Sequence, residues 1–198
     1  MKVDMTKLEK RLLQCGYGGE LFSDRKTLIN RVIELTKNKT VGFGSSLTIE
    51  QLDLKSSIKN SVTEMYHHVP GGHGETERKA LLAQVFITSA NGLAQTGEIV
   101  NIDGTGNRVG ATCFGPETLI YIVGQNKITP DLPSAMIRAK ETAIKIATKY
   151  KKETPCAKTG VCGNCLSPQS VCSLTTIHRK KPNGINVHVF IIKEDLGL

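Results

Sequence analysis

Apolar residues recur at helical spacing in several segments of the chain. This pattern predicts amphipathic helices over residues 8–14, 25–37 and 75–82, because each segment places its apolar residues on one face. A longer helix with a basic outer face is predicted over 132–150, and Asp131 marks its start as the residue before a leucine-proline pair. Helices of this kind cover a sheet.

Short apolar runs separate these helices and predict β-strands. The main ones are residues 40–43, 62–66, 84–88, 98–102 and 118–123. Strands that alternate with helices favour an α/β fold, a Rossmann-like and mostly parallel sheet with helices on both faces. In such a sheet the ligand crevice lies at the C-terminal ends of the strands. Residues 173–177 and 186–192 predict two further strands, joined as a hairpin through residues 181–184.

The length of 198 residues favours a single domain spanning residues 1–198. We divide it into an α/β core, residues 1–152, and a small cysteine-rich appendage with the closing strands, residues 153–198. Apolar runs fall short of the roughly 20 residues that a membrane span requires, so no membrane partner is expected. The first residues lack the apolar region of a secretory signal, which predicts a cytoplasmic protein.

The formal net charge of +8 favours anionic ligands. With four Tyr, five Phe and no Trp, the chain is poorly supplied with aromatic side chains on which bases could stack. The composition therefore argues against a nucleic-acid partner and favours a small anionic substrate.

Four cysteines are concentrated late in the chain with the spacing Cys156-x5-Cys162-x2-Cys165-x6-Cys172. In a reducing compartment, thiols this close together hold a metal more often than they form disulfides. Thiolates suit iron-sulfur clusters and zinc, and the irregular spacing with one CxxC pair favours a 4Fe-4S cluster. Zinc and unligated, redox-sensing thiols remain alternatives. Outside this group, Cys15 and Cys113 are predicted to be small buried residues.

A glycine-rich turn follows the strand at residues 40–43. Glycines allow close approach to a ligand, and a helix N-terminus presents free N–H groups to an anion. Thr48 and Gln51 predict a capping box at the start of the next helix. The turn lacks the third glycine of the dinucleotide fingerprint and the Lys of a P-loop, and a tight turn with an ordinary cap is the alternative. The candidate binding residues are Gly42, Gly44, Ser45 and Ser46.

Small polar residues also follow the strands at 84–88 and 98–102. They suit a site where hydroxyls and backbone amides contact an anion. Arg108 could bind two oxygens of a carboxylate or phosphate there. Asp103 or Glu98 could act there as a base, and a hairpin turning at Asp103 and Gly104 is the alternative. The further candidate binding residues are Thr88, Ser89, Asn91, Gly104, Thr105, Gly106 and Asn107.

Two histidine-containing segments have less specific patterns. His67, His68 and His73 lie in a glycine-rich loop without the carboxylate–histidine spacing of a metal site, and an exposed polar loop is predicted. The basic run from His178 to Lys181 predicts a solvated hairpin tip.

Several blocks together resemble one known family. They are Val41-Gly-Phe-Gly-Ser-Ser46, Val100-Asn-Ile-Asp-Gly-Thr-Gly-Asn-Arg108, Phe114-Gly-Pro116, Val123-Gly-Gln-Asn-Lys-Ile128 and Thr159-Gly-Val-Cys-Gly-Asn-Cys165. In order and spacing they resemble the LUD-domain family of lactate-utilisation proteins, in its single-domain branch with a C-terminal cysteine cluster. The resemblance implies a fold similar to ribose-5-phosphate isomerase, glucosamine-phosphate deaminase and CoA-transferases. It also adds Asn126 and Lys127 to the candidate binding residues.

The resemblance implies a part in the oxidation of lactate or related hydroxy acids, with iron-sulfur redox proteins as partners; a homodimer is compatible with it. Residues 89–92 resemble a CoA-transferase turn, but Ala90 stands where a nucleophilic Glu is needed. The leading hypothesis is a protein that binds a small carboxylate or sugar phosphate beside an iron-sulfur cluster, as an oxidoreductase component. The alternatives are a lyase, isomerase or hydrolase using Asp103 or Glu98 as base, with a structural metal, and a zinc-stapled binding module without turnover.

Overall fold

The structure is a computed structural model that describes residues 4–67 and 74–198. The helices in these ranges are α1 (Met5–Gln14), α2 (Arg25–Thr36), α3 (Leu47–Gln51), α4 (Leu54–Ile58), α5 (Glu75–Leu81), α6 (Asn107–Cys113), α7 (Leu132–Lys149) and α8 (Pro155–Thr159). The strands are β1 (Gly18–Phe22), β2 (Thr40–Phe43), β3 (Glu64–His67), β4 (Val85–Thr88), β5 (Gly92–Ala94), β6 (Ile99–Asp103), β7 (Thr118–Gly124), β8 (Ile128–Thr129), β9 (Leu174–His178) and β10 (Asn186–Ile192).

The main sheet has six strands in the order β1-β10-β7-β4-β2-β3. Every neighbouring pair in it is parallel. Helices cover both of its faces, so the predicted parallel α/β fold is confirmed. The carboxyl ends of β2, β4 and β7 therefore meet at one edge, where an open parallel sheet binds its ligands.

Side chains alternate between the two faces of this sheet. Along β7, Tyr121 faces one core, which it shares with α1, α5, α6 and the second sheet. Ile120 and Ile122 face the other core, which is closed by α2, α3 and α4. Since all residues of β7 are buried, the continuous apolar run is explained by helices and sheet packing on both sides.

A second sheet of four strands, in the order β8-β5-β6-β9, packs against α7. The strand predicted at residues 98–102 belongs here and not to the main sheet, because β5 and β6 pair antiparallel as a hairpin. Asp103 is the last residue of β6 and pairs with Leu174 of β9. The chain then continues into α6, so the alternative of a hairpin turning at Asp103 and Gly104 is wrong.

The predicted hairpin between residues 173–177 and 186–192 is also wrong. β9 lies in the second sheet, whereas β10 lies inside the main sheet between β1 and β7. The reason is visible in the residues of β10: from Val189 to Ile192 all side chains are buried, which suits a central strand covered on both faces. The main sheet is therefore completed by residues that follow the cysteine-rich segment.

The long helix α7 agrees closely with its prediction. Asp131 is its N-cap and accepts a hydrogen bond from the Ser134 N–H at 2.9 Å. Its buried stripe consists of small residues, Ala135, Ala139, Thr142, Ala143 and Ala147, which let the helix pack closely on β5 and β6. Over residues 4–67 and 74–198, neither α7 nor any other helix combines the length and apolarity that a bilayer crossing demands.

Candidate functional site

Three neighbouring strand ends define the candidate site. Gly44 follows β2, Ser89 follows β4, and a single turn of 3-10 helix, Gln125–Lys127, follows β7. The Gly44 N–H donates to the Ile87 carbonyl at 3.1 Å, which ties the first two ends together. The sequence-predicted residues from three separate segments are thus brought to one edge of the sheet.

Lys127 is the most unusual residue at this edge. Its side chain is almost fully buried, with 5 % of the residue exposed. The ammonium Nζ donates to Thr48 Oγ1 at 2.7 Å and to Ser89 Oγ at 3.0 Å. Among the described residues, no carboxylate lies close enough to form an ion pair with it. A buried cation held only by hydroxyls lacks the partner that ordinarily offsets its desolvation.

The surroundings of Lys127 favour its neutral form. Burial, together with the positive charges of Arg138 and Arg108, lowers the pKa of Lys127 to about 7. An anion bound at this place would reverse the effect, because its negative charge would stabilise the ammonium form. The site therefore has an electrostatic demand that a carboxylate or a phosphate would satisfy.

Thr48 was predicted to cap a helix, and that prediction is wrong. Ser46 is the N-cap of α3, and its hydroxyl accepts from the Ile49 N–H at 3.5 Å. Thr48 instead lies in the first turn of α3, fully buried, with its hydroxyl toward Lys127. Because Ser46 caps α3, the hydroxyl of Thr48 is available to accept a hydrogen bond from Lys127.

Arg108 lies at the same edge of the sheet and is mostly enclosed, with 14 % of its side chain exposed. Its Nη2 donates to Asn91 Oδ1 at 3.3 Å and to the Ile102 carbonyl, and its Nε lies 3.7 Å from Asp103 Oδ2. Within the described part of the chain, Nη1 makes no hydrogen bond. A guanidinium with two N–H groups uncommitted can still bind an anion.

Asp103 is engaged by the backbone of the following turn. Its Oδ1 accepts from the N–H groups of Thr105 and Gly106 at 3.0 and 3.1 Å, and its Oδ2 accepts from Val109 at 3.2 Å. These bonds hold the start of α6 and orient Arg108. The geometry describes a positioning carboxylate, and a role as general base would require it to release these contacts.

Arg138 is a site residue that the sequence analysis missed. From α7 its guanidinium donates to the carbonyls of Asn126 and Leu198, at 3.0 and 2.9 Å, and to the Asn91 carbonyl. Burial lowers the pKa of Arg138 from its ordinary value, although an arginine stays charged. The signal that could have identified Arg138 is its place on α7. It lies on the same helix face as the buried Ala135 and Thr142, so its side chain points towards the sheet.

Thr88 adds an unpaired hydroxyl to the site. The residue is fully buried, and its Oγ1 has no hydrogen-bond partner among the described residues. A β-carbon at Gly44 would lie 2.8 Å from this oxygen, so the hydroxyl lies directly against the Gly44 turn. Buried hydroxyls are normally paired, and a ligand oxygen at the turn would complete this one.

The C-terminal segment, residues 193–198, passes over Lys127. Leu196 donates its N–H to Asn126 Oδ1 at 3.1 Å, and Gly197 donates to Gln51 Oε1 at 2.6 Å. A β-carbon at Gly197 would lie 2.9 Å from the Lys127 Nζ, and its φ of +71° also favours glycine. The segment can therefore cover the amine only because it has no side chain at this position.

The remaining predicted residues divide into three groups. Glu98 lies away from the crevice, at the turn of the β5–β6 hairpin, where its carboxylate accepts from Thr96. Gly42 serves helix packing, since a β-carbon there would lie 2.3 Å from the Ala80 carbonyl oxygen of α5. The others line the turns beside Gly44 and Arg108: Ser45, Ser46, Gly104, Thr105, Gly106 and Asn107.

The four clustered cysteines lie on what we call the cysteine loop, residues 155–173. None of its residues is buried, and Leu166 is 99 % exposed. Three thiols contact local side chains: Cys156 meets Thr154 at 3.3 Å, Cys162 meets Asn164 at 3.8 Å, and Cys172 meets Ser170 at 3.1 Å. All four thiols are free.

The donor chemistry of this loop fits a thiolate-bound metal, while its present conformation does not enclose one. In residues 4–67 and 74–198 no group of three or more His, Cys, Asp or Glu side chains is arranged to hold a metal ion. Ligation would require the loop to close, and its side chains are not buried, although Val171 packs against the core beneath α7. Cys156, Cys162, Cys165 and Cys172 would be the ligands.

The cysteine loop lies next to the turn that follows Asp103. A β-carbon at Gly104 would lie 2.9 Å from the Ser170 carbonyl oxygen and 3.0 Å from Val171 Cα. Gly104 follows Asp103, which pairs with Arg108. Ser170 and Val171, just before Cys172, therefore pack against the turn that leads from β6 to Arg108.

The two isolated cysteines differ. Cys15 is buried, as predicted, whereas Cys113 is exposed, so the prediction of a buried residue is wrong for Cys113. Cys113 ends α6, with its Sγ 3.7 Å from His178 Nε2. His178 itself is buried at the end of β9, so the predicted solvated tip is wrong for His178, whereas Arg179 and Lys180 are exposed. His68 and His73 lie outside the described residues.

The fold and the site together define a parallel α/β protein with a buried cluster of cationic and hydroxyl side chains at its strand ends. A profile of the LUD domain matches residues 5–192, and the chain belongs to the LUD domain family. Among solved structures it is similar to a DUF162 family protein from Deinococcus radiodurans, with a TM-score of 0.54 and 13 % identity over 96 % of this chain and 99 % of that one. This likeness concerns the fold alone. A search of curated proteins found no significant match.

Proposed function

We propose that this protein binds a small anionic carboxylate or a sugar phosphate at the crevice formed by Gly44, Ser89, Arg108 and Lys127. Its role would be in the redox metabolism of hydroxy acids such as lactate, to which LUD domain membership points. One observation carries the proposal: Lys127 is buried without a carboxylate partner in the described part of the chain, beside Arg108 and Arg138. Concentrated buried positive charge requires an anion.

The neighbouring groups support binding of oxygen atoms in particular. Arg108 has an uncommitted Nη1, and Thr88 has an unpaired hydroxyl at the same turn. Hydroxyl and guanidinium donors around one ammonium are suited to the several oxygens of a carboxylate or phosphate. A neutral ligand would leave these charges unmatched.

The cysteine loop is the second part of the proposal. Cys156, Cys162, Cys165 and Cys172 would hold a 4Fe-4S cluster, which would supply a one-electron redox centre when bound. Its support is the donor set and the contact of the loop with Gly104 next to the anion site. Iron-sulfur proteins would then be natural redox partners.

Titration calorimetry with inorganic phosphate and with lactate tests the anion site. Below the Lys127 pKa, we expect Lys127→Met to weaken binding of whichever anion binds by about tenfold or more, because a charged donor is lost. Lys140→Met, on the exposed side of α7, is the matched control and should leave affinity unchanged. Equal binding by both variants and the parent protein would refute the proposal.

A further inference from the structure

The amine of Lys127 is placed as a nucleophile would be. Its two hydrogen bonds go to Thr48 Oγ1 and Ser89 Oγ. A neutral amine has two N–H donors and one lone pair, so these two bonds use both donors and leave the lone pair free. A lysine that served only as a counter-charge would gain more from a third acceptor.

The cations around Lys127 are arranged to bind a carboxylate next to the amine. Arg108 and Arg138 are bridged by Asn91, whose side chain accepts from Arg108 and whose carbonyl accepts from Arg138. Arg138 donates to the carbonyl of Asn126, the residue before Lys127, and the stem of Arg108 packs against the Gly44 turn. A ligand held by Arg108 through a carboxylate would therefore carry its adjacent carbon to the amine.

From this juxtaposition we propose that Lys127 forms an imine with the carbonyl group of a small 2-oxo carboxylate. The proposal rests on the proposed anion site and names its substrate class more closely. Desolvation beside other cations is one of the ways in which proteins make a lysine nucleophilic, because the neutral amine is then present near neutral pH. Lys127 meets this condition, since burial is the largest cause of its lowered pKa.

The step balances without any co-reactant. The nitrogen lone pair attacks the carbonyl carbon, the C–N bond forms, and the carbonyl oxygen takes one proton from nitrogen. The C–O bond of the resulting carbinolamine then breaks, and the oxygen departs with the second nitrogen proton as water. The hydroxyls of Ser89 and Thr48 adjoin the nitrogen and can relay these protons.

Access to the amine depends on the C-terminal segment. The segment lies over Nζ and is held by the contact of Gly197 with Gln51, that of Leu196 with Asn126, and that of Leu198 with Arg138. All of these are hydrogen bonds between its backbone and polar side chains. Leu196 is also buried in the core closed by α2, α3 and α4, so the segment can lift only by withdrawing this one leucine from that core. Entry of a three-carbon acid requires such lifting.

Reductive trapping tests the inference. The full chain is incubated with pyruvate and cyanoborohydride above the Lys127 pKa, and the labelled lysine is located by peptide mass spectrometry. We expect a stoichiometric adduct at Lys127, formed at least tenfold faster with pyruvate than with acetone, which lacks the carboxylate. Lys127→Met should lose the adduct, whereas Lys140→Met, on the exposed side of α7, should keep it.

The outcomes separate the two proposals. Phosphate binding that depends on Lys127, without a Lys127 adduct, overturns the imine and leaves the anion site standing. A protein that neither binds phosphate through Lys127 nor forms the Lys127 adduct overturns both the anion site and the imine. Equal labelling by pyruvate and acetone, or labelling spread over exposed lysines, also refutes the inference. If Lys127→Met does not fold, the labelled position in the parent protein decides alone.

Discussion

The aliphatic stem of Arg108 packs directly against the backbone of Gly44: a β-carbon at position 44 would lie 2.9 Å from Arg108 Cγ. The same β-carbon would lie 2.8 Å from Thr88 Oγ1. Gly44 therefore sets the position of a guanidinium and of an unpaired hydroxyl at once. This contact links the glycine turn after β2 to the arginine at the start of α6.

The first prediction concerns this contact. Gly44→Ala should displace Arg108 and lower the affinity for the bound anion by about tenfold, through loss of a charge-assisted hydrogen bond. The free energy of unfolding should also fall, by about 1–3 kcal/mol, because the added β-carbon lies against the buried Thr88 hydroxyl. Phosphate titration and thermal unfolding measure the two effects. Gly163→Ala is the control, since a β-carbon there meets no atom within 4 Å. Unchanged affinity in Gly44→Ala would contradict the assigned role of Arg108.

The second prediction is a pH dependence of stability. Lys127 has a pKa of about 7 in the folded protein, against about 10.4 in the unfolded chain. Between these values the unfolded chain binds the extra proton, so the free energy of unfolding should rise with pH, by about 1 kcal/mol per unit. Below about pH 7 both states are protonated and the full cost of burying the charge remains.

Urea unfolding of the parent protein and of Lys127→Met checks this dependence. Relative to Lys127→Met, the free energy of unfolding of the parent protein should increase as the pH rises from about 7 to about 10. Other titrating groups cancel in this difference. Parallel curves for the two proteins would show that Lys127 keeps an ordinary pKa.

The third prediction concerns Arg138, which ties α7 to three other segments. Arg138→Met should leave the carbonyls of Asn126, Asn91 and Leu198 without their donor and lower the free energy of unfolding by about 3 kcal/mol. Chemical denaturation measures the loss. Lys140→Met, two residues along on the exposed side of α7, should be neutral. A small effect of Arg138→Met would mean that water replaces the guanidinium at these carbonyls.

The parts of the fold that could be predicted have local signals. Asp131 before the leucine-proline pair gave the start of α7, and the apolar run of β7 gave a strand buried on both faces. β1 has no such signal, because its Gly18 and Gly19 are poor strand formers and the strand depends on pairing with β10. The position of β10 in the sheet is likewise a long-range property.

The same division holds for the site. Gly44, Asn91 and Arg108 stand out because glycines and polar residues directly follow apolar strands. Thr48 and Arg138 do not, since each belongs to a helix whose pattern is explained by capping or by a basic face. Their polar groups reach Lys127 and its neighbour Asn126 only because α3 packs against β7 and α7 packs against β8.

The fourth prediction concerns the cysteine loop. Protein purified without oxygen should contain iron and sulfide and absorb broadly near about 400 nm, as thiolate-bound iron does. Cys162→Ser should lose most of both. Cys113→Ser removes an equally exposed thiol outside the loop and should keep them. Because ligation would close a loop that has no buried residue, the metal should also protect residues 155–173 from proteolysis. A colourless protein that contains zinc would show that the site binds zinc and not an iron-sulfur cluster. A metal content unaffected by Cys162→Ser would remove this thiol from the ligand set.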